Sequence, residues 1–162
     1  MESSDWPAVA RIYQEGLDTG HASFENQAPS WENWDEEHLK SCRCVALYKE
    51  ETVGWAALTP ISGRCVYAGV AEVSVYVSRQ HRGLKIGSSL LQWLIDSSES
   101  EGIWTLQAGM FPSNEASLGL HESLGFRHIG YREKIGQLRG VWVDTLLLER
   151  RSRKVNWNTG SP

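Results

Sequence analysis

Residues 71–88 read Ala71-Glu72-Val73-Ser74-Val75-Tyr76-Val77-Ser78-Arg79-Gln80-His81-Arg82-Gly83-Leu84-Lys85-Ile86-Gly87-Ser88. A β-branched run passes into a loop carrying Gly83 and Gly87, and an apolar-periodic segment, Ile86 to Ile95, follows at once. The order is strand, phosphate-sized loop, helix. A helix N-terminus presents unpaired N–H groups and a partial positive charge, which suit a pyrophosphate. The loop is not a Walker P-loop, which requires Gly-Lys-Ser/Thr after four free residues. Nor is it the G-x-G-x-x-G of dinucleotide folds. Taken alone, the stretch also reads as an ordinary strand-to-helix turn.

Working outward, Ser4-Asp5 before Pro7 signals a helix start. Val9, Ile12, Tyr13 and Leu17 then recur at helical spacing, and the helix should end near Thr19-Gly20. A loop from His21 to Ser30 precedes a short acidic helix, Trp31 to Lys40. Cys44 to Tyr48 and Val53 to Leu58 form a predicted hairpin turning at Lys49-Glu50-Glu51. Pro60 to Gly69 is irregular, and Ala71 to Ser78 is the strand quoted above. On the helix from Ile86 to Ser100, Leu90, Leu91, Leu94 and Ile95 face inward, and Gly102 closes it. Ile103 to Met110 is the next strand. Ser113 caps a helix to Leu124. Phe126 to Glu133 and Val141 to Leu148 are the last strands, joined through Gly136 and Gly140. Strands alternating with helices predict a single α/β domain over residues 1–152, a mixed sheet with helices on both faces. The basic run from Arg150 to Lys154 opens a tail, residues 153–162, read as a solvated or disordered end.

The bulk composition narrows the function. A chain of 162 residues with net charge −4 is large enough for one core and lacks the broad basic surface of a nucleic-acid binder. No apolar run approaches the roughly 20 residues that span a bilayer. Three cysteines, Cys42, Cys44 and Cys65, have no metal spacing, read as reduced thiols and place the protein in the cytoplasm. No metal is expected. Eight tryptophans are expected in the core or a pocket wall.

Arg82-Gly83-Leu84-Lys85-Ile86-Gly87 resembles the coenzyme A loop of GNAT-superfamily N-acetyltransferases, Arg/Gln-x-x-Gly-x-Gly/Ala, with Lys85 where the family has glycine. Asn114-Glu115-Ala116-Ser117-Leu118-Gly119-Leu120-His121-Glu122-Ser123-Leu124-Gly125-Phe126 resembles the second GNAT signature, Asn-x-x-(Ala/Ser)-x-x-Leu-(Tyr/His)-x-x-x-Gly-Phe. Glu72 to Val77, Thr19 to Glu25 and His121 are similar to the phosphinothricin, arsinothricin and methionine-sulfone acetyltransferase branch. Ile103 to Gly109 and Leu147 to Ser152 fit its arsinothricin-resistance type best. The likeness runs from the first predicted helix to the end of the domain. The family's first strand is expected to be missing or vestigial here, since only about four residues precede the helix cap.

The resemblance implies acetyl-coenzyme A as co-substrate and transfer of its acetyl group to the α-amine of an acidic amino-acid analogue. Val75, Tyr76 and Val77 would offer backbone groups to the pantetheine arm, and a backbone N–H of this strand would polarise the thioester carbonyl. Arg82, Gly83, Leu84, Lys85, Ile86, Gly87 and Ser88 would hold the pyrophosphate. Asn114 would bond the pantetheine, with Ser117 near it. Glu72 matches the general base, and His121 stands where many relatives have a tyrosine that protonates the thiolate. On the substrate side, Phe24, Tyr67 and Tyr76 would line the pocket and Arg64 would bind the acidic group. Ala68 and Val143 replace an arginine and a histidine common in the branch, which points away from phosphinothricin itself. A homodimer is implied, with the Gly136 to Gly140 loop reaching the partner's pocket, and a role in antimetabolite resistance. Two other readings remain open at this stage. One is acetylation of another small amine; the other is a non-catalytic coenzyme A-binding sensor.

Overall fold

The computed structural model describes residues 1–156. Helix α1 (Trp6–Leu17) buries Val9, Ile12, Gly16 and Leu17. Its start differs from expectation. A 3-10 turn over Ser3–Asp5 leads straight in, and the Asp5 carboxylate accepts the Glu2 N–H at 2.8 Å instead of capping the helix. Helix α2 (Trp31–Glu37) is capped by Ser30, whose side chain accepts the Asn33 N–H. Strands β1 (Cys44–Tyr48) and β2 (Glu51–Pro60) turn at Lys49 and Glu50, both at positive φ.

Strand β2 is buried over six consecutive residues, Val53 to Leu58. A strand is buried throughout only if both sheet faces are covered, and successive side chains point to opposite faces. Ala56 and Leu58 join Leu91, Leu94 and Ile95 of α3 (Ile86–Ser100) on one face. Trp55 and Ala57 join Val9 and Ile12 of α1, with Trp34, on the other.

The six strands are ordered β1-β2-β3-β4-β6-β5, with β3 (Val70–Val77), β4 (Thr105–Met110), β5 (Arg127–Leu138) and β6 (Val141–Arg151). Only β3 and β4 pair in parallel, through Val70↔Thr105, Ala71↔Leu106 and Glu72↔Gln107. Beyond Glu72 each strand keeps its outer neighbour: β3 stays with β2 to Val77 and β4 with β6 to Met110. The two strands diverge, and a cleft opens between them. Among the described residues no strand precedes α1, and β1 is the sheet's edge.

Helix α4 (Glu115–Ser123) is capped by Asn114, whose side chain accepts the Ser117 N–H, and not by Ser113. The late hairpin turns at Arg139 and Gly140, so Gly136 lies inside β5, paired with Val143. The expected loop from Gly136 to Gly140 is mostly strand. The basic run at the end begins docked, with Arg150 paired to Glu99 and Ser152 buried, while Arg153 and Lys154 are exposed, Lys154 still reaching Glu99. Residues 157–162 of the expected tail lie outside the described residues. No helix among the described residues is long and apolar enough to cross a membrane, and no group of three or more His, Cys, Asp or Glu side chains among them could hold a metal.

Candidate active site

The divergence of β3 and β4 opens a cleft of about 1010 Å³. One end is the loop before α3. Gly83 has φ of +80° and Lys85 φ of +61°, so the chain makes two left-handed steps into the helix. The first turn of the helix, whose N–H groups have no partner within the helix, borders the cleft: its lining includes Ile86, Gly87 and Ser88 together with Arg82 and Lys85. A Cβ at Gly87 would meet Leu120 at 3.4 Å and Val77 at 3.7 Å, ordinary contact distances. Leu84 is exposed and outside the lining.

The middle of the cleft is the open edge of β3, where Val75, Tyr76 and Val77 have a strand neighbour only on the β2 side. Backbone polar groups on such an edge are free to pair with an extended ligand.

At the vertex stands Glu72. Its carboxylate lies across Gly109, where a Cβ would come within 3.2 Å of Oε1. The residue is exposed at the cleft mouth, and partial desolvation by the walls around its carboxylate raises its pKa. The Gly109 N–H and the Arg132 guanidinium oppose that shift without cancelling it. A carboxylate so placed is a stronger base than a free glutamate.

His121 is buried on α4 with its ring edge-on to Phe126. Nδ1 sits 2.8 Å from the Ser117 carbonyl oxygen. A carbonyl only accepts, so Nδ1 carries the hydrogen and the neutral ring leaves a lone pair at Nε2. Nε2 is buried without a hydrogen-bond partner. Burial also lowers the ring's pKa. To protonate a thiolate, the ring must first gain a proton that burial disfavours.

The α1–α2 loop walls the opposite side. His21 Nδ1 is 2.9 Å from Ser113 Oγ, and the Asn114 carboxamide donates to the His21 carbonyl at 3.1 Å. Both ends of the Asn114 side chain are therefore used within the chain. Phe24 packs edge-on to Phe111 and against Gly136, where a Cβ would fall 2.9 Å from its ring. The Tyr76 ring stacks on Trp55 at 4.8 Å and meets Tyr13 at 4.8 Å. Burial raises both phenols.

Arg64 and Tyr67 are not brought to this cleft. Both are exposed and outside its lining, Arg64 just before and Tyr67 at the end of a 3-10 turn (Cys65–Tyr67), with the guanidinium over the Tyr67 ring at 5.7 Å. Among the described residues no tryptophan lines the cleft; Trp34 and Trp55 lie in the core behind it. The sequence reading missed Tyr13, Thr145 and Arg132 as lining residues. Tyr13 had a signal, since it lies on the inward face of α1. Arg132 and Thr145 face each other across β5 and β6, a pairing that no local pattern reveals.

An open β3 edge leading from a glycine loop to a carboxylate matches a known architecture. The profile of the acetyltransferase (GNAT) family matches residues 6–126. The chain belongs to the GNAT acetyltransferase family. Within it, the chain is 34% identical to the phosphinothricin N-acetyltransferase of Alcaligenes faecalis, over 93% of this chain and 79% of that protein. It is 28% identical to the L-methionine sulfoximine/L-methionine sulfone acetyltransferase of Pseudomonas aeruginosa, over 90% and 88%. The crystal structure of a GNAT phosphinothricin acetyltransferase from Sinorhizobium meliloti in complex with acetyl-coenzyme A superposes with a TM-score of 0.83 at 25% identity, covering 98% of this chain and 94% of that one. The GNAT fold expected from the two signatures is thus the fold of this chain, and the branch is the one the spelling pointed to.

Proposed function

We propose that this protein transfers an acetyl group from acetyl-coenzyme A to the α-amine of an amino acid bearing an acidic or strongly polar side group, of the arsinothricin, phosphinothricin or methionine sulfone and sulfoximine type. The observation that carries the reading is Glu72, a carboxylate made more basic by its surroundings at the vertex of an open strand edge. The names of the relatives above support the substrate class.

Acetyl-coenzyme A supplies the acetyl group as a thioester. The N–H groups at the start of α3, with Arg82 and Lys85, hold its pyrophosphate. The open β3 edge orients its pantetheine arm, and a backbone N–H there donates to the carbonyl oxygen as negative charge develops on it. Glu72 removes a proton from the substrate ammonium through water, which leaves a neutral amine able to attack. Phe24, Phe111 and Tyr76 exclude water around the reacting amine. His121 lies on the α4 side of the cleft, where the leaving sulfur is placed in this reading. With Asn114 engaged on His21, the pantetheine contact assigned to Asn114 requires that hydrogen bond to be released.

The proposal includes a homodimer formed through the late hairpin, which exposes Tyr131, Ile135, Val141 and Trp142. A monomer by light scattering would contradict that part.

The test is free-thiol release from acetyl-coenzyme A with arsinothricin, phosphinothricin, methionine sulfone and methionine sulfoximine side by side. Turnover with one or more of them is expected. Tight cofactor binding with silence on all four would favour another small amine as acceptor or the sensor, the latter supported here by the non-glycine Lys85 in the loop.

A further inference from the structure

The sequence reading gave the substrate's acidic group to Arg64, which lies outside the cleft. Three Arg or Lys side chains line the cleft: Arg82, Lys85 and Arg132. Two belong to the phosphate loop. Arg132 alone stands at the acceptor end. It lies opposite Thr145, a buried cleft residue, and directly paired residues of antiparallel strands share a sheet face. Its guanidinium therefore projects over the face that carries Glu72. Among the described residues it makes no ion pair, so its charge is available to a ligand.

The strand is shaped to put it there. Between Arg132↔Thr145 and Gly136↔Val143, three residues of β5 stand against one of β6, Asp144. The Asp144 carboxylate accepts the Lys134 N–H at 2.7 Å and the Tyr131 hydroxyl, and Lys134 takes a positive φ of +46°. This pinned bulge brings Ile135 and Gly136 to the cleft wall beside Arg132.

We infer that Arg132 holds the α-carboxylate of the acceptor, so that Glu72 and Arg132 form a cradle of opposite charges for a zwitterionic amino acid. The inference rests on the acetyl-transfer reading above. An α-amino acid carries its ammonium and carboxylate on one carbon, which requires an anion and a cation on neighbouring walls. Glu72 and Arg132 are close enough for the guanidinium to lower the carboxyl's pKa against the effect of burial. A guanidinium fork suits a carboxylate in two-point contact.

The test compares L-methionine sulfone with its carboxamide as acceptors, for wild type, Arg132→Met, Arg132→Lys and Arg64→Met. Arg132→Met should lower kcat/KM for the acid by about 10- to 100-fold, the usual loss when a hydrogen bond to a charged group is removed. It should change the carboxamide rate far less, by no more than the change in Glu72 basicity that loss of the guanidinium brings, and Arg132→Lys should recover part of the loss on the acid. Unchanged affinity for acetyl-coenzyme A by calorimetry shows that the variants are folded. An equal loss on both acceptors would overturn the inference, as would an acid-selective loss in Arg64→Met with none in Arg132→Met. If the wild type turns over neither acceptor, it is the transfer reading that fails. Calorimetric binding of methionine sulfone then decides: weakening in Arg132→Met supports the anchor, and unchanged binding overturns it.

Discussion

A carboxylate whose pKa is raised by folding destabilises the folded protein wherever it is ionised. Glu72 is such a group, so its contribution is most favourable below the ordinary glutamate range and is lost as pH rises through the folded value. Because Glu72 is exposed and water screens much of the effect, Glu72→Gln should leave Tm at neutral pH unchanged or slightly raised even though the proposed base is gone, and a clear drop in Tm would contradict this. His121 behaves oppositely. Its lowered pKa makes the unfolded chain the better proton acceptor, so stability falls as pH drops through and below about 6.5. In His121→Phe, thermal melts from pH 8 to pH 5 should show a smaller acid loss than in wild type; an identical loss would mean the ring is not buried neutral. Lys85 sits at φ of +61°, where a glycine would relax. Lys85→Gly should stabilise by about 1 kcal/mol, a rise of about 2–4 °C in Tm. It should also weaken acetyl-coenzyme A binding at low salt, because an ammonium leaves the phosphate loop. A drop in Tm would show that the loop does not hold this left-handed step.

Among the elements, α1 and β3 are locked by one absent side chain. A Cβ at Gly16 would fall 2.7 Å from the Tyr76 ring. Alanine favours a helix interior over glycine by about 1 kcal/mol, but overpacking here should cost about 1–3 kcal/mol. Gly16→Ala should thus lower Tm and disturb Tyr76 in the cleft; a higher Tm would mean the ring yields freely. Elements with local signals were legible in the sequence. Strand β3, its loop and α3 follow from a β-branched run, two glycines and a leucine stripe in succession. What failed was local competition and long-range pairing. Asp5 prefers the Glu2 N–H to the helix start, and Asn114 rather than Ser113 caps α4, because Ser113 is turned toward His21. The bulge that places Arg132 depends on Asp144 from the next strand, so its register could not be read from β5 alone. Arg64 was assigned through family likeness, and its side chain lies instead on its neighbour Tyr67.

For the whole molecule, the cleft is where two strands of one sheet stop pairing, and each face of that sheet carries its own core. The α3 face anchors the phosphate loop, and the α1 face supplies the acceptor pocket. Glu72 is the last β3 residue paired with β4 and the first group the pocket meets. The docking of Arg150 and Lys154 on Glu99 ties the end of β6 to the end of α3, so the described chain closes back on the helix it is built around. The most direct test of this arrangement is the pH profile of kcat/KM for thiol release with methionine sulfone, for wild type and Glu72→Gln. A base must be ionised to act, so the wild-type rate should rise with pH through a midpoint above the ordinary glutamate value of about 4.3. If His121 acted as the acid, a falling limb below about 6.5 would cut the profile into a bell. The account predicts the rising limb in wild type and its loss in Glu72→Gln, with the rate down about 10²- to 10⁴-fold. A Glu72→Gln enzyme that keeps both the rate and the profile would contradict it.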